Sequence, residues 1–121
     1  MLFRSDMKPA RYNIKFYRGT TLDIVMTYLI NNVPVDLADY TATMDVRPAP
    51  NSATLIDQLT TENGKLILNQ VTGEVEILLT AEQTGDLPLG QFQYDLNITS
   101  PSGTVTKLIQ GAFVVLDPVT E

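Results

Sequence analysis

Apolar residues recur at every second position along most of the chain, which is the period of a strand with one buried face. Gly, Asn and Pro residues supply the backbone angles that tight turns need, and they interrupt this alternation repeatedly. In the first half of the chain the pattern predicts strands at 13–17, 22–28 and 40–47, with tight turns at 18–20 and 31–34.

A hairpin is the clearest prediction in the middle of the chain. Two alternating segments, 65–68 and 74–80, flank a short loop that contains glycine, and this arrangement is typical of two antiparallel strands. The inner face of the second strand is predicted to carry Val75, Ile77 and Leu79.

Three further strands are predicted around this hairpin. Segment 54–60 alternates less regularly, which an edge strand would tolerate. Segment 91–99 has the most regular alternation, and a turn at 100–103 leads into the last strand at 104–116. Gly111 interrupts the alternation of that last strand, so we expect either a bulge or a close approach of another backbone there.

One short helical turn is predicted at 80–85, where Thr80 can cap the first turn and a glycine can end it. Seven to eight mostly antiparallel strands with this single helical turn are typical of an all-β domain, either a sandwich or a small barrel, and we favour the β-sandwich. Residues 90–94 are similar to the corner before the penultimate strand of immunoglobulin-like domains, although Cys and Trp are absent. We expect residues 12–117 to form the sandwich, with an N-terminal arm at 1–11 and a C-terminal tail at 118–121.

The amino-acid composition argues against several classes of function. The 121 residues carry a net charge of −6, so neither nucleic acid nor an anionic membrane is an expected partner. The absence of Cys and His excludes thiolate and imidazole chemistry, and we expect a protein that is not an enzyme. No apolar stretch is long enough for a leader or a membrane span, so we expect a soluble, unprocessed chain.

The residues that could carry chemistry all have simpler structural interpretations. Ser100 and Ser102 are interpreted as turn residues and not as nucleophiles. Asp36 and Asp39 could offer oxygen ligands to Ca²⁺, but turn formation is the favoured interpretation. We therefore predict no catalytic, metal-binding or cofactor-binding residues. Glu74 and Glu76, which share the outer face of a predicted strand, are interpreted as a solvated surface.

The charge distribution is strongly asymmetric. Residues 1–18 hold five basic groups against one acidic group, a net charge of +4, whereas residues 19–121 hold three against thirteen, a net charge of −10. These two regions could attract one another between copies of the chain. The N-terminal arm could then lie across a neighbouring subunit, anchored by its apolar residues. The alternative is a frayed, solvated terminus.

The order of elements resembles the N-terminal domain of bacteriophage baseplate upper proteins. The resemblance is carried by Arg18–Leu22 leading into a strand, by Val35–Pro48, by Leu87–Leu96 and by Pro101–Gly111. It extends over residues 12–117. It implies an immunoglobulin-like β-sandwich in a non-enzymatic structural protein of the virion, located in the tail, baseplate or neck.

The same resemblance implies that other phage virion proteins are the partners and that the chain forms a homo-oligomer within a symmetric assembly. Its assembly would take place in the cytoplasm of the bacterial host. The alternative is a soluble binding module that recognises a glycan or protein on the host surface through the loops around Asp36, Asn51 and Asp86. The residues predicted to form interfaces are Leu2, Phe3, Arg4, Met7, Lys8, Arg11, Pro48, Pro50, Asn51, Pro118 and Val119.

Overall fold

The computed structural model describes the backbone of residues 2–4 and describes residues 10–49 and 52–118 with their side chains. This part of the chain forms eleven strands and one helix. The strands are β1 (Leu2–Arg4), β2 (Ala10–Arg11), β3 (Ile14–Tyr17), β4 (Leu22–Ile30), β5 (Val33–Pro34), β6 (Thr41–Arg47), β7 (Asp57–Thr60), β8 (Leu66–Asn69), β9 (Glu74–Leu79), β10 (Gly90–Thr99) and β11 (Val105–Leu116), and the helix is α1 (Ala81–Gly85).

The strands form two sheets. Sheet A has the order β1-β4-β9-β8, with the short β5 also paired to β4. Sheet B has the order β11-β10-β6-β7, and both β2 and β3 lie along the other side of β11. All pairs are antiparallel except β1 with β4 and β2 and β3 with β11. The orders β4-β9-β8 and β11-β10-β6-β7 are those of strands B-E-D and G-F-C-C′ in immunoglobulin-like domains, so the predicted all-β sandwich is confirmed.

The core lies between the two sheets and is built from the inward positions of the alternating strands. Its largest fully buried side chain is Phe113 on β11, whose ring meets those of Phe16 and Tyr94 edge-on at centroid distances of 5.2 and 6.4 Å. Burying such apolar side chains is the main favourable contribution to folding. The predicted inner face of β9 is confirmed, since Val75, Ile77 and Leu79 are all fully buried.

Most predicted strands are present, and the differences have local causes. The predicted turn at Asn31–Asn32 is confirmed: both residues have positive φ, of 53° and 65°, as a tight hairpin between β4 and β5 requires. β7 begins at Asp57 and not at residue 54, because the Ser52 hydroxyl accepts a hydrogen bond from the Thr54 backbone at 3.1 Å and holds this segment in a bend. It does lie at the edge of sheet B, as expected.

The N-terminal residues enter the sheets earlier than the sequence suggested. β1 pairs with β4 of the same chain, and β2 pairs with β11, so both strands precede residue 12, where the sandwich was expected to begin. β1, β2 and β5 have only two or three residues each, which is too short for alternation to mark a strand.

The expected irregularity of β11 consists of two separate features. Leu96 pairs with Ile109 but Asn97 pairs with Lys107, so Leu108 is the extra residue of a bulge. Gly111 instead provides the close approach: a Cβ at this position would overlap the carbonyl oxygen of Tyr12. The glycine thus lets the segment between β2 and β3 lie directly against β11.

Helix α1 connects the two sheets and also fixes the turn between β3 and β4. Its predicted cap is confirmed as a capping box. The Thr80 hydroxyl accepts a hydrogen bond from the Gln83 backbone N–H, and the Gln83 side chain accepts one from the Thr80 backbone N–H. Thr84 is fully buried, and its hydroxyl accepts from the Gly19 N–H at 3.0 Å and donates to the Thr20 carbonyl at 2.8 Å. No helix in the described part of the chain is long and apolar enough to cross a bilayer.

Replacing Thr84 by valine is expected to destabilise the fold by about 1–3 kcal/mol, because the Gly19 N–H then loses its acceptor in a partly buried place. Urea denaturation followed by circular dichroism measures the change. The matched control is Thr72→Val in the exposed β8–β9 turn, which makes the same substitution at the surface. Equal stability of the two variants would contradict the anchoring role of Thr84.

Candidate protein-interaction surfaces

The outer face of sheet B contains a shallow cleft of about 200 Å³, which we call the charged cleft. It lies where β2, β6, β10 and β11 run side by side, and the outward residues of these strands form its walls. The residues around it include Arg11, Arg47, Tyr94, Asp95, Lys107 and Gln110.

An ion network occupies most of the charged cleft. Asp45 and Asp95 lie directly opposite each other on β6 and β10. Arg47 contacts both carboxylates, at 3.1 Å to Asp45 and 3.6 Å to Asp95, and Lys107 contacts Asp95 at 3.3 Å. One oxygen of Asp95, Oδ1, is buried without a hydrogen bond, and the Arg47 guanidinium is its neighbouring cation. The network therefore links three strands and pairs each carboxylate with a cation.

Tyr94 lies beneath the charged cleft with its ring packed in the core, and it has a structural role. Its hydroxyl donates a hydrogen bond to the Tyr12 carbonyl at 2.5 Å, which ties β10 to the segment between β2 and β3. Burial, with a smaller effect from Tyr12, raises the pKa of the Tyr94 phenol above its ordinary value, so the hydroxyl keeps its proton and remains a donor. In the tyrosine corner of immunoglobulin domains, the tyrosine hydroxyl bonds to a backbone group only a few residues earlier in the chain. The Tyr94 hydroxyl differs, because it bonds to a backbone carbonyl 82 residues earlier.

The outer face of sheet A has a different character, and we call it the acidic face. It comprises Asp23 on β4, Ile67 on β8, Val71 in the following turn, and Glu74 and Glu76 on β9. Ile67 is 43% exposed and Val71 is 89% exposed, and both line a shallow groove of about 390 Å³ together with the two glutamates. Exposed apolar side chains beside a group of carboxylates are compatible with a protein contact surface.

The carboxylates of the acidic face repel one another. The pKa of Glu76 is raised above its usual value of 4.5, chiefly because its protonated form hydrogen-bonds to Asp23, then because of partial desolvation and the negative charges of Asp23 and Glu74. A cation placed against this face would relieve that repulsion.

Replacing Glu76 by glutamine is expected to raise the melting temperature at neutral pH. Because the folded-state pKa of Glu76 exceeds the unfolded value, its carboxyl favours the fold below pH 4.5, and this contribution is lost as the pH rises through the folded-state pKa. Glutamine cannot ionise, so the difference from the wild-type protein should shrink at about pH 3. Thermal melts at both pH values test this, with Glu62→Gln in the exposed turn before β8 as control. A higher melting temperature of the wild type at neutral pH would contradict the prediction.

The serine and aspartate candidates from the sequence lie in turns. Asp36 accepts a hydrogen bond from the Ala38 backbone at 3.0 Å, and Asp39 has a positive φ of 61°, so the turn interpretation is confirmed for both. Ser100 and Ser102 hydrogen-bond to each other at 2.8 Å within a turn, as predicted. Lys65 pairs with an aspartate on β7 at 3.3 Å. Within residues 10–49 and 52–118, no cluster of acidic side chains could hold a metal ion.

The residues predicted to form interfaces are distributed over several places. Arg11 is exposed on β2 beside the charged cleft, and Pro48 and Pro118 are exposed at the ends of β6 and β11. The backbone of Leu2, Phe3 and Arg4 forms β1. Their role in contacts stays a prediction. Met7, Lys8, Pro50, Asn51 and Val119 lie outside the described residues.

The acidic face as a combined surface was not found from the sequence. The outward position of Glu74 and Glu76 was predicted, but their neighbours come from β4 and β8. Glu76 on β9 pairs with Val25 on β4 at one side and with Ile67 on β8 at the other. The composition of the acidic face therefore depends on the register between these three strands. The only local signal was Ile67 in an outward position of the predicted hairpin.

Comparison with known proteins identifies a similar fold. The N-terminal domain of phage TP901-1 ORF48 aligns with a TM-score of 0.57 over 94% of this chain and 93% of that chain, at 8% sequence identity. The predicted resemblance to a phage protein domain is thereby confirmed at the level of the fold.

A second solved structure is much less similar. Extracellular domains 3–5 of Drosophila OTK align with a TM-score of 0.38 and 14% identity, over 89% of this chain and 33% of that chain. This TM-score is too low to support an argument. No family model matches the sequence, and no curated protein matches it significantly.

Proposed function

We propose that this protein is a non-enzymatic structural component of a bacteriophage virion, in the tail, baseplate or neck, and that it acts through protein contacts. The observation that carries the proposal is the similar fold of almost the whole chain and the N-terminal domain of phage TP901-1 ORF48. Because a fold can serve many functions, the surfaces of this chain must support the proposal separately.

The described side chains favour contacts over catalysis. The hydroxyls of Ser100, Ser102 and Thr84 are used in turns and in the anchoring of α1. The facing carboxylates of Asp45 and Asp95 each contact a cation in a cleft that is shallow and open. A glycosidase, by contrast, needs one carboxyl group that donates a proton and a pocket that encloses the substrate.

The partners in this proposal are other virion proteins and further copies of the same chain. The acidic face offers the exposed apolar side chains of Ile67 and Val71, which a protein partner can cover. The negative net charge disfavours nucleic acid as a partner. Within a symmetric particle, a modest contact repeated around an axis becomes strong through multivalency.

Peptide mass spectrometry on density-purified virions of the phage that encodes this chain tests the proposal, with the copy number measured against the major capsid protein. We expect the protein in intact particles at a low, fixed copy number. A high copy number would contradict a baseplate or neck location and indicate the capsid or the surface of the tail tube. Absence from intact particles would overturn the structural role and leave a free binding module or an assembly factor.

A further inference from the structure

A basic edge lies on the opposite sheet from the acidic face. It consists of the outward residues of β2 and β3, namely Arg11, Lys15 and Tyr17, along the side of β11. All three side chains are exposed, and the Tyr17 ring is 50% accessible. Neither Arg11 nor Lys15 forms an ion pair with another described residue. The basic edge thus combines uncompensated positive charge with an exposed aromatic ring.

The acidic face and the basic edge are complementary in composition. One has three carboxylates beside the exposed side chains of Ile67 and Val71, and the other has two cations beside Tyr17. Tyrosine and arginine are enriched in protein contacts, where an amphipathic ring can cover apolar groups while cations meet carboxylates at the rim. The carboxylates of the acidic face already repel one another, which a facing cation would relieve.

The spacing of the charges also agrees. Arg11 pairs with Gln110 and Lys15 with Val114, so the two cations lie four residue levels apart along the sheet. On the acidic face, Asp23 pairs with Leu78, four levels from Glu74 on the same strand. At a strand rise of about 3.4 Å per residue, each set of charges spans about 14 Å. Two charge pairs can therefore form at once when the strands lie side by side.

We propose that the acidic face of one copy of this chain docks against the basic edge of a second copy. The two surfaces lie on different sheets of the same molecule, so a pair of docked copies keeps one free surface of each kind, a basic edge on one copy and an acidic face on the other. Such a head-to-tail contact closes into a ring when its rotation allows and otherwise extends as a chain. This proposal identifies the surfaces for the self-association that is part of the proposed function. It concerns the isolated protein and does not depend on where the protein lies in a particle.

Charge reversal on each surface separately provides the test. One variant carries Glu74→Lys and Glu76→Lys, and the other carries Arg11→Glu and Lys15→Glu. Sedimentation velocity of the purified full chain is measured over a range of protein concentrations, in low salt and in about 0.5 M salt, where charges are screened within a few ångströms. Circular dichroism verifies that both variants are folded.

The wild-type protein is expected to associate in low salt and to dissociate as salt is added. Each variant should associate at least about tenfold more weakly, because two of the charges on one docking surface change sign. In an equimolar mixture of the two variants, the intact basic edge of one meets the intact acidic face of the other, and the two reversed surfaces are again opposite in charge. The mixture should therefore associate more strongly than either variant alone, which shows that the two surfaces contact each other.

The matched control carries Glu62→Lys and Glu82→Lys. These residues are exposed, lie away from the acidic face, and give the same change in net charge. This control should associate at least as well as the wild type. A wild-type protein that stays monomeric, a mixture that stays monomeric, or a control that fails like the Glu74 and Glu76 variant would each overturn the proposal. Such a failure would leave the particle measurement unaffected, so the two proposals fail separately.

Discussion

Replacing Gly111 by alanine is expected to destabilise the protein by about 3 kcal/mol or more, since the added Cβ overlaps the Tyr12 carbonyl. Backbone cannot rotate away as a flexible side chain can, so the segment between β2 and β3 must move off β11. That movement weakens the backbone hydrogen bond from Tyr12 to Gln110 at 3.0 Å and the bond from the Tyr94 hydroxyl. Equilibrium urea denaturation at pH 7 measures the loss.

Gly85→Ala provides the control for Gly111→Ala. Gly85 ends α1 and is exposed, and a methyl group added there would meet no other atom within 4 Å. The same added methyl should therefore be neutral or stabilise by up to about 1 kcal/mol, as expected for alanine in a helix. If Gly111→Ala were as stable as Gly85→Ala, the close contact with Tyr12 would be wrong.

Truncation of Phe113 to alanine is expected to cost about 3–5 kcal/mol, the usual range for a fully buried phenylalanine. The loss is large because the ring contacts Phe16 from β3 and Tyr94 from β10, so the resulting cavity lies between three strands. A domain of this size has about 5–15 kcal/mol of stability in total. The variant should therefore show a much lower urea midpoint, and a fraction of it should be unfolded in native buffer.

Tyr17→Ala is the aromatic control for Phe113→Ala. Its ring is half exposed at the basic edge, so truncation should change the free energy of unfolding by much less than truncation of Phe113. The same variant should weaken self-association while remaining folded. Equal destabilisation by the two truncations would show that Phe113 does not occupy the centre of the core.

Alternation predicted most of the sheet structure because it reports which face of each strand is buried. The segments that became β4, β9 and β10 were found, β9 with its inward residues, and the hairpin of β8 and β9 was found with its turn. Alternation does not report which strands are neighbours. The parallel pairing of β3 with β11 joins positions about a hundred residues apart, as in the 3.0 Å bond from the Ala112 backbone to Asn13, and no local pattern encodes such a contact.

The candidate surfaces were less predictable than the fold for the same reason. The charge asymmetry between residues 1–18 and the remainder was visible in the sequence and indicated attraction between copies. The particular groups depend on register, because the acidic face combines β4, β8 and β9 and the basic edge exists only where β2 and β3 lie along β11. The break in alternation at Gly111 predicted either a bulge or a close backbone approach. Only the structure identifies the close approach and shows that its partner is the Tyr12 carbonyl.

The dependence of β2 and β3 on β11 has a consequence for the timing of synthesis. On the ribosome, residues 10–17 emerge first, but the strand that fixes them is made about a hundred residues later. The edge with Arg11 and Lys15 therefore takes shape only when the rest of the domain is already in place. Nascent chains on one polysome, although close together, lack one of the two docking surfaces, so completion of folding controls when copies can join and limits premature aggregation during translation.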